Sequence, residues 1–95
     1  MAAYVIVDVE VMDPVRYEDY KILSGASLGA HGARFLVRGG KTETLEGVRK
    51  PGRIVVIEFP TSDDARRWWN SDAYAPAKAL RNATAKTEMI LVEGV

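Results

Sequence analysis

The sequence contains no cysteine and a single histidine, His31. The first absence excludes disulfides, thiol nucleophiles, thiolate-held zinc and iron–sulfur centres. The second excludes a multi-histidine metal site within one chain, so neither a metal nor a cofactor is expected. An excess of one charge is lacking too. The 13 basic side chains face 13 acidic ones, and no overall field draws in nucleic acid, anionic lipid or a polyanionic substrate. No apolar run approaches the roughly 20 residues that cross a bilayer. The opening Met1-Ala2-Ala3-Tyr4-Val5-Ile6-Val7-Asp8 has no basic n-region and meets an acid too early for a secretory signal. The expectation is a soluble, cytoplasmic protein with no nucleic-acid and no membrane partner. Internal repeats and low-complexity tracts are missing as well. A chain of 95 residues suits one domain, 1–95, with a core that is adequate but not generous, so self-association would be a natural way to bury more surface.

What is present is clear periodicity. From Tyr4 to Val11 the chain alternates, with Val5, Val7, Val9 and Val11 on one side and Tyr4, Ile6, Asp8 and Glu10 on the other, the pattern of a half-buried strand. Asp13-Pro14 supplies a helix start, because Asp caps orphan N–H groups and Pro is accepted at the first helical position. Tyr17, Tyr20 and Leu23, with Val15 behind them, are spaced for a helix lying on a sheet, and the helix is expected to fray near Ser24-Gly25. His31 to Gly40, answered by Arg53 to Pro60, reads as two strands of a hairpin. Arg34, Arg38 and Glu58 interrupt its apolar pattern, and such charges need partners or a task. Thr61-Ser62-Asp63-Asp64 opens a second helix with a hydroxyl cap and acids in the first turn. Ser71 recaps it, and a further piece runs through Tyr74, Ala77 and Leu80 to about Ala85, with Pro76 near enough to its start to be accepted. Glu88 to Glu93 forms the last strand.

The order strand, helix, strand, strand, helix, strand is that of an α+β, ferredoxin-like split βαβ domain with a four-stranded antiparallel sheet and both helices on one face. Within it, strands one and three are expected as a parallel central pair flanked by strands four and two. Arg34, Leu36 and Arg38 would then share the open face with Ile54, Val56 and Glu58. Asp8 would lie beside Glu58, giving an Arg34–Glu58–Asp8 row surrounded by Leu36, Val56, Ile6 and Ile54. A face of that kind suits burial against a second copy. Two adjacent carboxylates also repel, and one that holds its proton can serve as a general acid or base, which makes Glu58 and Asp8 the catalytic candidates. An ion-pair network that fixes register or dimer geometry is the simpler role for the same residues.

Candidate binding residues cluster elsewhere in the chain. Arg38, followed by Gly39-Gly40, is placed to grip a carboxylate or phosphate in a bidentate manner, although a turn with one positive-φ glycine accounts for the glycines. Trp68 and Trp69 diverge by about 100° on a helix, so one belongs to the core and the other to an edge. Trp69, with Tyr17, Tyr20 and Tyr74, could wall an aromatic pocket, which Arg81 would reach from one to two turns beyond Tyr74. Ser71 has no base near it in sequence and no nucleophile elbow, so capping is its expected work. His31 is a candidate for ligand contact, proton transfer or haem ligation, with ordinary solvation as the plain alternative.

Taken together, several of these pieces resemble domain-of-unknown-function family 1330, small proteins of the dimeric α+β barrel superfamily. They are Tyr4-Val5-Ile6, Asp13-Pro14 with Tyr17 and Tyr20, Gly32 to Gly40, Leu45-Glu46-Gly47, Val56 to Pro60, Ser71-x-x-Tyr74, Leu80-Arg81 and Val92-Glu93-Gly94. The resemblance covers nearly the whole chain. It implies a ferredoxin-like subunit whose sheet pairs with that of a second subunit to close a barrel, and it implies no particular reaction. Many relatives have Gly-Gly before the second strand, where this chain has His31-Gly32-Ala33. The wider superfamily is similar to cofactor-independent monooxygenases, lactone isomerases and haem-degrading enzymes. Two expectations follow. In one, the protein binds a small, partly apolar or anionic organic molecule, with Arg38 orienting the anionic group and Glu58 or Asp8 moving a proton in isomerase-like or monooxygenase-like chemistry. In the other, it is a non-catalytic homodimeric binding or stress-response module. Whether it is an enzyme is left open.

Overall fold

Alternation in the first strand divides the molecule into layers. In the computed structural model, which describes residues 1–95, β1 (Ala3–Val11) turns Val5, Val7 and Val9 into the core and leaves Tyr4, Ile6 and Asp8 half-buried on the far side. Helix α1 (Pro14–Leu28) begins at Asp13, whose carboxylate accepts the Arg16 N–H at 3.2 Å. A short 3-10 turn (Gly29–His31) ends at Gly32, which takes a left-handed φ of 66°. Strands β2 (Arg34–Arg38) and β3 (Arg53–Phe59) form the hairpin. Helices α2 (Ser62–Trp69) and α3 (Ala75–Thr84) then lead into β4 (Ala85–Glu93). Thr61 caps α2 by accepting the Asp64 N–H at 3.1 Å. Ser71 caps the turn before α3, accepting the Tyr74 N–H at 3.1 Å and donating to the Trp68 carbonyl at 2.7 Å.

The sheet order is β2-β3-β1-β4, and every neighbouring pair is antiparallel. The parallel central pair expected from the sequence is therefore corrected. The crossover through α1 brings β2 back in the same sense as β1, and the hairpin then reverses β3, so β3 runs against both strands between which it inserts. The reversal also separates the two candidate carboxylates. Glu58 sits opposite Tyr4 and Asp8 opposite Ile54, and the four residue steps from Tyr4 to Asp8 span roughly 13 Å along β1.

Two further expectations are revised. Helix α1 does not fray at Ser24-Gly25 but continues to Leu28. Its late serines are satisfied internally, the Ser27 hydroxyl donating to the Ser24 carbonyl at 2.7 Å and accepting the Trp68 indole N–H at 2.9 Å. Tyr17 and Tyr20 are buried as expected, whereas Val15 is 80% and Leu23 40% exposed, because the face of α1 that meets the sheet is carried by the tyrosines, Ser24, Ser27 and Leu28. The core is a single cluster of sheet valines, Ile57 and Phe59 packed against Tyr17, Tyr20, Trp68 and Tyr74. Helices cover only one face. The principal extents of 35 × 34 × 16 Å are those of two layers, and Leu36, Ile90 and Val92 are exposed.

Candidate functional site

A β-bulge decides where the hairpin charges go. Arg34 pairs with Glu58 and Phe35 with Ile57, but beyond Phe35 the register shifts, so that Val37 faces Val56 and Arg38 faces Val55. The extra residue reverses the alternation. Arg38 is thereby carried from the open face, where simple alternation would put it with Arg34 and Leu36, to the helix side of the sheet with Val55. There its Nη2 donates to the Lys21 carbonyl of α1 at 2.8 Å, and its guanidinium lies 4.2 Å from the centre of the Phe35 ring. Its guanidinium passes close to Gly25 of α1, where an added Cβ would stand in ordinary contact, 3.6 Å from Arg38 Nη2.

Gly39 holds a second guanidinium in place. Its φ is 73°, its N–H donates to the Ile54 carbonyl at 2.8 Å, and an added Cβ would meet Arg53 Nε at 2.7 Å. The Arg38-Gly39-Gly40 segment is thus a turn, with the Gly39 N–H already used by the sheet. Arg53 belongs to the helix side with Val55, Ile57 and Phe59. Its Nη1 donates to the Tyr17 hydroxyl at 3.4 Å, and its guanidinium lies 5.6 Å from the centre of that ring. The sequence reading does not single out Arg53, although the same alternation that marks Val55 and Ile57 as inward-facing would have found it.

Between α1 and the sheet these residues enclose a cavity of about 20 Å³, room for about one water molecule. Its polar lining is Tyr17, Tyr20, Lys21, Ser24, Arg38 and Arg53, and Phe35, Val55, Ile57 and Met89 are among its apolar walls. Tyr17 and Tyr20 lie ring to ring at 5.1 Å. Behind them, the Tyr20 and Tyr74 hydroxyls are 3.1 Å apart, and Arg81 Nη1 donates to the Tyr74 hydroxyl at 2.9 Å. Arg81 is only 7% exposed. Its Nη2 reaches Asn82 Oδ1 at 3.2 Å, and its Nε has no partner. Burial pushes the Tyr74 phenol well above the usual tyrosine range, the neighbouring Tyr20 adding to the rise and Arg81 opposing it. Burial likewise raises Tyr17, with Arg53 pulling it back.

Of the cations lining the cavity, only Lys21 has an acidic partner. The ion pairs of the molecule are Lys21–Glu18, Arg34–Glu58, Arg49–Asp8, Arg66–Asp63 and Arg67–Asp64. Arg38, Arg53 and Arg81 belong to none of them.

The other candidates lie apart. Glu58 accepts from Arg34 Nε at 2.8 Å on the open face. Asp8, on that face too, pairs with Arg49 and accepts the Gly52 N–H at 2.9 Å. The expected Arg34–Glu58–Asp8 row thus exists only as its Arg34–Glu58 half, because the antiparallel register moves Asp8 away. Trp68 is fully buried, and Trp69 is the edge residue at 43% exposure. Trp69 packs under Lys78, whose Nζ is 3.5 Å from the ring centre, and lines a separate hollow of about 200 Å³ with Val5, Ala65, Met89 and Leu91. The one charged residue there, Arg66, is paired with Asp63 at 2.8 Å. His31 is half-buried before β2, at the end of that strand remote from Arg38, and does not line the cavity. Of the sequence candidates, the structure therefore brings Arg38, Tyr20, Tyr74 and Arg81 together and leaves Asp8, Glu58, Trp69 and His31 elsewhere.

Comparison with solved structures returns the same architecture at low identity. A protein of unknown function from Rhodopseudomonas palustris superposes with a TM-score of 0.81 at 15% identity, over 99% of this chain and 82% of its own. A dimeric ferredoxin-like protein of unknown function from Jannaschia sp. CCS1 gives 0.77 at 12% identity, over 99% and 100%. SnoaB, a cofactor-independent oxygenase from Streptomyces nogalater, gives 0.69 at 17% identity, over 99% and 93%. Curated proteins give no match. No helix is long and apolar enough to cross a membrane. The family model described as Domain of unknown function (DUF1330) matches residues 2–95, and the chain belongs to that family.

Proposed function

We propose that the protein is a homodimeric binder of a small, partly apolar organic anion, which it takes head-first into the cavity between α1 and the sheet. The observation that carries this reading is that Arg38 and Arg53 converge on an apolar-walled cavity with no carboxylate to pair them. A guanidinium flanked by aromatic rings, with donors still free, is suited to a carboxylate. One oxygen of the charged head takes the water-sized space, and the remainder of the ligand packs at the mouth beside Phe35. The hollow near Trp69 is larger, but it offers no unpaired charge to orient a ligand.

In this reading Asp8 and Glu58 serve the open face as ion-paired elements of a dimer interface. They do not move protons, since both stand on the side of the sheet opposite the cavity. The mixed face bearing Tyr4, Ile6, Ile54, Val56, Ile90 and Val92 is the surface a second copy would cover, and the dimeric state of the Jannaschia protein supports that assignment. The test is titration calorimetry with benzoate, phenylacetate and short-chain carboxylates. Arg38→Ala is expected to weaken binding at least about tenfold, the loss of a charge-assisted hydrogen bond. Arg34→Ala should bind as the wild type does. Equal affinity in the Arg38 variant would remove that residue from the site.

A further inference from the structure

Arg81 is a nine-tenths buried cation with no acidic partner, and its surroundings give it a direction. A guanidinium donates and never accepts, so the 2.9 Å contact with Tyr74 makes the Tyr74 oxygen an acceptor. Tyr74 is fully buried, and its own O–H must find an acceptor or bear the full cost of desolvation. The oxygen within reach is that of Tyr20, at 3.1 Å. Tyr74 therefore donates to Tyr20, and the Tyr20 proton is left for whatever enters the cavity that Tyr20 lines. The same logic holds on the other side, where Arg53 donates to the Tyr17 hydroxyl and leaves the Tyr17 proton free.

We infer that Arg81, Tyr74 and Tyr20 form a one-way hydrogen-bond chain that presents the Tyr20 hydroxyl to the cavity as a polarised donor, so that the site recognises the oxygens of a carboxylate or enolate. This deepens, and rests on, the anion-binding reading above. Chains of hydrogen bonds polarise one another, and a cation at the far end strengthens the terminal donor. With Arg38 and Arg53 also donating, no carboxylate or carboxamide side chain lines the site to receive a ligand's N–H groups. Tyr20 is the residue that would touch the ligand, and Tyr74 and Arg81 are positioning residues that act through it.

The test is a double-mutant cycle read by titration calorimetry with benzoate as the probe. Tyr20→Phe should weaken benzoate about tenfold or more. Tyr74→Phe should weaken it severalfold when Tyr20 is present and by less than about twofold in the Tyr20→Phe background, because a residue acting through another has nothing left to act on. Equal losses in both backgrounds would show that Tyr74 is merely structural and overturn the chain. Benzoate affinity that falls in Arg38→Ala but is unchanged in Tyr20→Phe would overturn the chain while leaving the anion site standing. Absence of saturable benzoate binding to the wild type would overturn both. A second measurement needs no variant: carbon NMR of tyrosine labelled at Cζ in the wild-type protein. The Tyr20 resonance is expected to move on adding benzoate, and an unmoved Tyr20 alongside saturable binding would contradict the proposal.

Discussion

Trp68 and Trp69 are the same residue type one position apart, yet they hold very different places. The Trp68 indole packs 5.4 Å from the Phe59 ring and 4.1 Å from the Tyr74 ring, with its N–H given to Ser27. Trp69 lies at the edge under Lys78. Trp68→Ala should therefore cost about 3–5 kcal/mol of folding stability, against less than about 1 kcal/mol for Trp69→Ala, measured by urea unfolding of the two variants. Equal losses would contradict the assignment. This division is legible in the sequence, since helical geometry alone sends adjacent side chains about 100° apart. The burial of Arg81 is not. An arginine on a helix is ordinarily solvated, and only the packing of α3 against α1 brings its guanidinium beneath the Tyr20–Tyr74 pair.

The hairpin shows what a single inserted residue does to an element. Period-2 alternation correctly pairs Arg34 with Glu58, because nothing interrupts the ladder before Phe35. It misplaces Arg38, because a bulge leaves no mark in the hydrophobic pattern of Phe35-Leu36-Val37. Deleting Leu36 should restore a regular ladder in which Arg38 still faces Val55 on the helix side. Circular dichroism of that variant is expected to stay native-like and carboxylate binding to be retained. Binding lost from a folded variant would mean that the side of the sheet Arg38 occupies is not what places it at the cavity. The direction of β3 was likewise within reach, since a crossover followed by a hairpin requires it to oppose β1. The extension of α1 past Gly25 was less so, because it depends on Ser27 finding Trp68 from a distant helix.

At the scale of the whole molecule, the chain builds one covered sheet face and one open one, and divides its charges between them. The Arg34–Glu58 and Arg49–Asp8 pairs stay on the open face among Ile6, Val56 and Ile90, and the acid-free arginines face the helices. If the open face is the dimer interface, Ile6→Lys places an unpaired charge at its centre and should convert the dimer to monomer in sedimentation velocity at micromolar concentration. An unchanged sedimentation coefficient would place the interface elsewhere. The central claim is that the cavity under α1 is an anion site. Its most direct test is a nitrogen-15 NMR titration of the wild-type protein with benzoate. Saturable shifts are predicted at Tyr17, Tyr20, Arg38, Arg53 and Met89, with the amides of Ile6, Val56, Ile90 and Trp69 still. Shifts gathered on the open face or beside Trp69, or no saturable shift at all, would contradict it.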